Sequence, residues 1–224
     1  MFERYAVFYT PAGALAEFGA AWLGWDSAAG NWTAHEKLGD VDVAKITATP
    51  RKYGLHGTLK APFRLASEAT QATLETAMKS FAARTASCEI GPLALRHQNG
   101  FVALRPEQNS VNLQEIAATI VRSFDMFRAP LTPAEIERRR RARLSPRQDA
   151  QLLEWGYPFV LDDFHFHLTL SGALPASAAE PVMSALAARL MPLVANPFIL
   201  DAVTLMGEDR EGMFHQIHRY ALTG

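Results

Sequence analysis

Two stretches of the chain carry the same spacing of an imidazole and a hydroxyl. One is Gly54-Leu55-His56-Gly57-Thr58-Leu59-Lys60, the other Phe164-His165-Phe166-His167-Leu168-Thr169-Leu170. Side chains on a strand alternate faces. His56, Thr58 and Lys60 are therefore expected on one face, with Leu55, Leu59 and Ala61 behind them. Likewise His165, His167, Thr169 and Ser171 should share a face opposite Phe164, Phe166, Leu168 and Leu170. Two such faces brought together make one site with two imidazoles and two hydroxyls. An imidazole titrates near pH ~6.5, so such a pair can divide acid and base work at neutral pH. One neutral ring takes a proton from an attacking water, and the other, protonated, gives one to the departing oxygen. Phosphate-ester cleavage suits this arrangement, because attack and departure occur in line on opposite sides of phosphorus. The threonine hydroxyls can donate to the non-bridging oxygens as charge builds there. Lys60 would add positive charge. The scheme calls for no metal or cofactor. It fits a diester or cyclic diester best, whose leaving alkoxide most needs the acid.

Other elements must hold these strands. Residues 5–9 read as a strand, and Thr10-Pro11 as the start of an apolar helix over 12–23. Residues 25–51 read as a long loop with short elements. The first motif strand should run over about 53–61 and end at Pro62. A helix is expected over 67–83, with Leu74, Ala77, Met78 and Phe81 on one stripe. Apolar runs at 88–96 and 101–105 flank Asn99-Gly100, a strong hairpin signal. A helix follows over 110–127. Thr132-Pro133-Ala134-Glu135 and Ser145-Pro146-Arg147-Gln148 each match a capping box with proline at the first helical position, and Gly156-Tyr157-Pro158 breaks the second helix. The second motif strand spans about 164–171. Ser177 with Glu180 should cap a helix reaching about residue 191, and strands over 198–206 and 213–222 complete the chain.

This order repeats. A His-x-Thr strand is followed by a helix and then a hairpin, twice. His56 and His167 are 111 residues apart, as are Thr58 and Thr169, and the same offset carries Gly100 onto Glu211 in the second hairpin turn. The fold class expected is α+β: two similar lobes with antiparallel sheets and flanking helices about a pseudo-two-fold, with the site in the central cleft. The first lobe would span about 1–108, the connecting helices 109–158 and the second lobe 159–224.

The 224 residues form an ordinary soluble composition with a net charge of -1, which gives no global reason to expect binding to nucleic acid or an anionic membrane. The single cysteine, Cys88, excludes a disulfide within the chain. No signal peptide pattern opens it, and a cytoplasmic setting is expected. Arg138 to Arg141 turn through about 300° on a helix, so they cannot share one face. Read functionally, they and Arg143 form an arm for a phosphorylated substrate; read structurally, they form a charged surface. Two other functions compete. A metal hydrolase could use His165, His167 and His56 as ligands, though no carboxylate lies in the motifs. A module binding RNA or a nucleotide without turnover could use the arginines as its electrostatic handle.

The motifs also resemble those of a known family. The stretch from Tyr53 to Phe63, Leu144-Ser145-Pro146-Arg147-Gln148, Trp155-Gly156-Tyr157-Pro158 and His165-Phe166-His167-Leu168-Thr169-Leu170 resemble the two-histidine (2H) phosphoesterase superfamily, in the bacterial branch encoded among phosphonate-utilisation genes. The resemblance implies a bilobal α+β fold, metal-independent chemistry on a 2′,3′-cyclic or ribosyl cyclic phosphodiester, and His56, Thr58, His167 and Thr169 as the catalytic set. Tyr53, Lys60, His165 and Arg143 are the expected substrate contacts. His165 stands where an arginine is expected in that branch. Small phosphorylated sugars or nucleotides are the expected ligands, with RNA as an alternative.

Overall fold

A computed structural model describes residues 2–39 and 41–224. The chain opens with β1 (Arg4–Tyr9), buried along nearly its whole length. Helix α1 (Gly13–Leu23) follows. Its N-cap is Ala12, not Thr10, because the Thr10 hydroxyl is taken by Thr204 Oγ1 at 2.7 Å and Gln216 Oε1 at 3.2 Å. The long segment that follows holds the short pieces β2 (Trp25–Asp26), β3 (Asn31–Trp32) and α2 (Val43–Ile46). Then come β4 (Gly57–Phe63) with the first motif, and α3 (Gln71–Ala82), capped by Thr70 and burying Leu74, Met78 and Phe81. Strands β5 (Cys88–Gly91), β6 (Leu93–Gln98) and β7 (Phe101–Pro106) come next. Asn99 and Gly100 both take positive φ, at 57° and 80°, which gives the tight β6–β7 turn the sequence predicts.

Helices α4 (Val111–Ser123), α5 (Pro133–Arg140) and α6 (Pro146–Trp155) connect the halves. Both expected capping boxes form, Thr132 with Glu135 and Ser145 with Gln148. The second motif contains only a two-residue strand, β8 (Leu168–Thr169), much shorter than expected, because only these two residues find ladder partners on β7. Helix α7 (Ala176–Leu190) starts from Pro175 with no side-chain cap, so Ser177 lies inside it. Strands β9 (Phe198–Leu200), β10 (Ala202–Glu208) and β11 (Phe214–Ala221) end the fold.

All named strand pairs are antiparallel, and helices flank the sheets, which makes the fold α+β. The sheets do not follow the lobes drawn from the sequence. The two larger sheets have the orders β11-β10-β1-β4 and β6-β7-β8, and β2–β3 and β5–β9 form two-stranded pairs. Each hairpin therefore pairs into the sheet of the other motif: the early hairpin beside β8, the late one beside β1 and β4. The halves exchange hairpins, and one continuous apolar core runs through both.

The duplication also shows where β5 meets β9. Cys88 pairs with Leu200 and Glu89 with Ile199. By the 111-residue offset, Ile199 is the counterpart of Cys88 and Leu200 of Glu89. Each strand thus pairs with its own counterpart in a self-complementary register, as a two-fold axis between them requires.

Candidate active site

Each motif histidine is held by its own backbone. His56 Nδ1 donates to Gly54 O at 3.0 Å, and His167 Nδ1 donates to His165 O at 2.8 Å. A carbonyl can only accept, so in both neutral rings the proton sits on Nδ1 and the lone pair on Nε2. Both motifs thus use the carbonyl two residues upstream to fix the same tautomer. Thr58 Oγ1 lies 3.2 Å from His56 Nε2 and donates to it.

His56, Thr58, His167 and Thr169 line one cleft of about 440 Å³, within the range that suits a small-molecule ligand. His56 is the more enclosed of the two rings. Phe8 lies 4.1 Å from it between centroids and Tyr53 stacks on it at 5.3 Å. A small apolar cluster of Ala6, Phe8, Met206 and Phe214 lies beneath. On the other side Phe101, from the β6–β7 turn, stands 5.6 Å from the His167 ring. That hairpin comes from the first half of the chain and walls the second motif because of the exchange.

Burial disfavours the charged imidazole and pushes His56 down to about 4, with the nearby His167 acting in the same direction. His167 is also lowered, first by burial and then by the charges of Arg105 and His165. His56 is therefore neutral at pH 7. The unfolded chain protonates it near pH ~6.5. Between that value and about 4 the unfolded state holds the extra proton, so stability falls as pH falls through this window. The loss amounts to about 3 kcal/mol. Urea unfolding at pH 7 and pH 4.5 should show this slope in the wild type and a shallower one in His56→Gln. Equal slopes would mean that the ring is not buried in solution.

The expected substrate contacts divide. Tyr53 lines the cleft. Lys60 does not: its ammonium donates to Val121 O at 3.0 Å and to Asp125 Oδ1 at 3.1 Å. The register explains this. Phe8 pairs with Thr58 but Val7 pairs with Lys60, so β4 carries an extra residue at Leu59, and the alternation of faces breaks there. A second shift falls between the Val7–Lys60 and Tyr5–Phe63 pairs. It lets the strand run through Pro62 instead of ending there, because β4 is an edge strand and a bulged position needs no ladder donor.

His165 also lies outside the cleft. It is exposed on a separate groove with Arg105 and Gln98, and its Nδ1 donates to Asp163 O at 3.0 Å. The three-histidine metal arrangement is therefore not assembled, and no group of three potential metal ligands converges among the described residues. Arg143 is exposed at the α5–α6 turn with φ 53° and is not among the residues lining the cleft. Its neighbour Arg139 does line the cleft, with its guanidinium 4.9 Å from the Tyr157 ring. Arg140 is engaged by Asp149 and Arg147 by Asp163, so much of the basic run is a paired surface. Arg4 reaches the cleft too, held by Glu208. Sequence reading missed Arg4, Phe101 and Tyr157. The arginine run did signal Arg139, but helical phase alone could not single it out.

Gly57 sets how closely the two motifs approach. A Cβ there would lie 2.4 Å from Phe166 Cε2 and 2.8 Å from its Cζ.

The family model described as "Protein of unknown function (DUF1045)" matches residues 58–215. The chain belongs to this family. This DUF1045 chain is 32% identical over 218 residues to a ribose 1,5-bisphosphate phosphokinase PhnN of Janthinobacterium sp. (strain Marseille), covering 93% of the chain and 48% of that protein. It is 34% identical over 173 residues to a protein of the same name from Laribacter hongkongensis (strain HLHK9), covering 76% of the chain and 40% of that protein. The chain spans about half the length, or less, of the curated relatives it matches. Among solved structures, it is similar to E. coli LigT complexed with 3'-AMP, with a TM-score of 0.45 and 14% identity over 99% of this chain and 98% of that one. A structure described as a phosphoesterase gives a TM-score of 0.42 and 15% identity, with 99% of each chain covered. Among the described residues, no helix is long and apolar enough to cross a membrane.

Proposed function

We propose that this DUF1045 chain is a two-histidine phosphoesterase that hydrolyses a cyclic phosphodiester without a metal. The observation that carries the reading is the matched pair of motifs in one cleft, each with a histidine whose Nδ1 proton is bound by the carbonyl two residues back. Two imidazoles that carry their lone pair on Nε2, that of His56 held by the exchangeable hydroxyl of Thr58, are suited to general base and general acid roles across one phosphorus.

The environments of the rings suggest which does what. His56 is enclosed and held neutral, and repulsion from a protonated His167 reinforces that. His56 therefore takes the proton from water, and the half-buried His167 carries the proton to the departing alkoxide. An anionic phosphate bound between them favours the protonated form of each ring. Thr58 and Thr169 turn their hydroxyls to the non-bridging oxygens, and Arg139 at the cleft edge offers a guanidinium for a further phosphate.

A ribosyl cyclic phosphate is the favoured substrate. The two curated relatives carry the name of a kinase acting on a ribose bisphosphate, which supports a phosphorylated ribose and a link to phosphonate metabolism. The test is turnover of nucleoside 2′,3′-cyclic phosphates and a ribose 1,2-cyclic phosphate, with and without EDTA. Hydrolysis unaffected by EDTA is expected, with the ribose compound preferred. Activity abolished by EDTA, or no turnover of any cyclic phosphate, would overturn the reading.

A further inference from the structure

Outside the cleft, one buried cation lacks a counter-charge. Arg105 is 9% exposed on β7, and its Nε and Nη2 are buried without a hydrogen-bond partner. Among the described residues no carboxylate forms an ion pair with it. Its nearest compensation is the face of Phe101, 4.9 Å from Cζ. Removing a guanidinium from water without a partner is costly, and folds rarely retain the arrangement without a use for it.

Arg105 is among the residues lining a groove of about 180 Å³ between β7, the start of α4 and the run leading into the second motif. No Asp or Glu is among the lining residues. They include the amides of Gln98, Asn109 and Gln114 and the imidazole of His165. The amino end of α4, a 13-residue helix capped by Ser110, opens onto the same groove and presents backbone N–H groups and a partial positive charge. A buried unpaired arginine, a helix amino end, side-chain amide donors and an acid-free lining together match a compact anion.

We propose that this groove is a second anion site, separate from the cleft, that takes a phosphate monoester group with Arg105 as its main charge. The same geometry couples it to the first site. Phe101 stands between the two, 4.9 Å from Arg105 and 5.6 Å from the His167 ring. An unoccupied Arg105 opposes a proton on His167, and a bound phosphate cancels that charge. Occupancy of the groove thus favours the protonated His167.

The test uses inorganic phosphate, titrated by calorimetry into the full chain carrying His56→Ala and His167→Ala, so that the cleft no longer competes. Phosphate binding is expected to persist there and to weaken by about tenfold or more when Arg105→Met is added. Methionine has a similar volume and no charge, so Arg105→Met is expected to raise the Tm without phosphate and to lose the Tm increase that phosphate gives the parent. Asn109→Glu, at the exposed rim, leaves the core intact and should weaken binding as well, through repulsion. Phosphate affinity unchanged by both Arg105→Met and Asn109→Glu would overturn the proposal, as would absence of phosphate binding in the cleft-disabled parent.

Discussion

Replacing either His56 or His167 by alanine should reduce kcat for cyclic-phosphate hydrolysis by about 10²- to 10⁴-fold, the usual worth of one positioned acid or base. The two losses should not add in the double variant, because base and acid act in one in-line event. The variants should differ in stability. His56 packs on Phe8 and Tyr53 and is buried, so its removal leaves a cavity. His167 is half-buried and should cost less. Activity should therefore be compared well below each Tm. The rings also predict different pH behaviour. In His167→Ala, the repulsion that helps hold His56 neutral is gone, so the ring gains its proton more readily and residual activity should fall away at higher pH than in the wild type. Either single variant retaining more than about a tenth of wild-type kcat would remove that histidine from the chemistry.

Gly57→Ala should be nearly as damaging, by a different route. The glycine lies between His56 and Thr58, and a methyl there meets the Phe166 ring at 2.4 Å. Phe166 is 5% exposed within the main core, so it has no free space to enter. Overpacking of this kind costs about 1–3 kcal/mol, which in a chain of this size lowers the Tm by roughly 2–10 °C. The activity loss should exceed what the Tm drop alone explains. The methyl pushes β4 from the segment that carries His167, and a shift of about 1 Å between reacting groups can cost 10²-fold. Measuring kcat and Tm together separates the effects. A variant with normal kcat and a lowered Tm would show that the two motifs tolerate separation.

Several features that rest on local chemistry were legible in the sequence, although the caps expected at Thr10 and Ser177 did not form. Period-two patterning marked the motif strand later seen as β4. Asn99-Gly100 marked a hairpin because both residues accept positive φ. The Ser/Thr-Pro-x-Glu/Gln stretches marked the starts of α5 and α6 because their caps are closed by residues three apart. The 111-residue offset marked the duplication, and so the pairing of the two His-x-Thr stretches. Tertiary structure decided the rest, because strand register and hairpin partnership join residues far apart in sequence. Nothing local in β6–β7 specifies that it should pair with β8, the second motif's strand, yet that choice brings Phe101 beside His167. The extra residue at Leu59 is fixed only by the fit of β4 to β1, and it turns Lys60 from the cleft to Asp125. His165 shares its period with His167 but lies before the paired residues, where no ladder holds it on the cleft face. Of the basic run, Arg139 lines the cleft because α5 places it against Tyr157, whereas Arg143 lies past the end of that helix, in the α5–α6 turn.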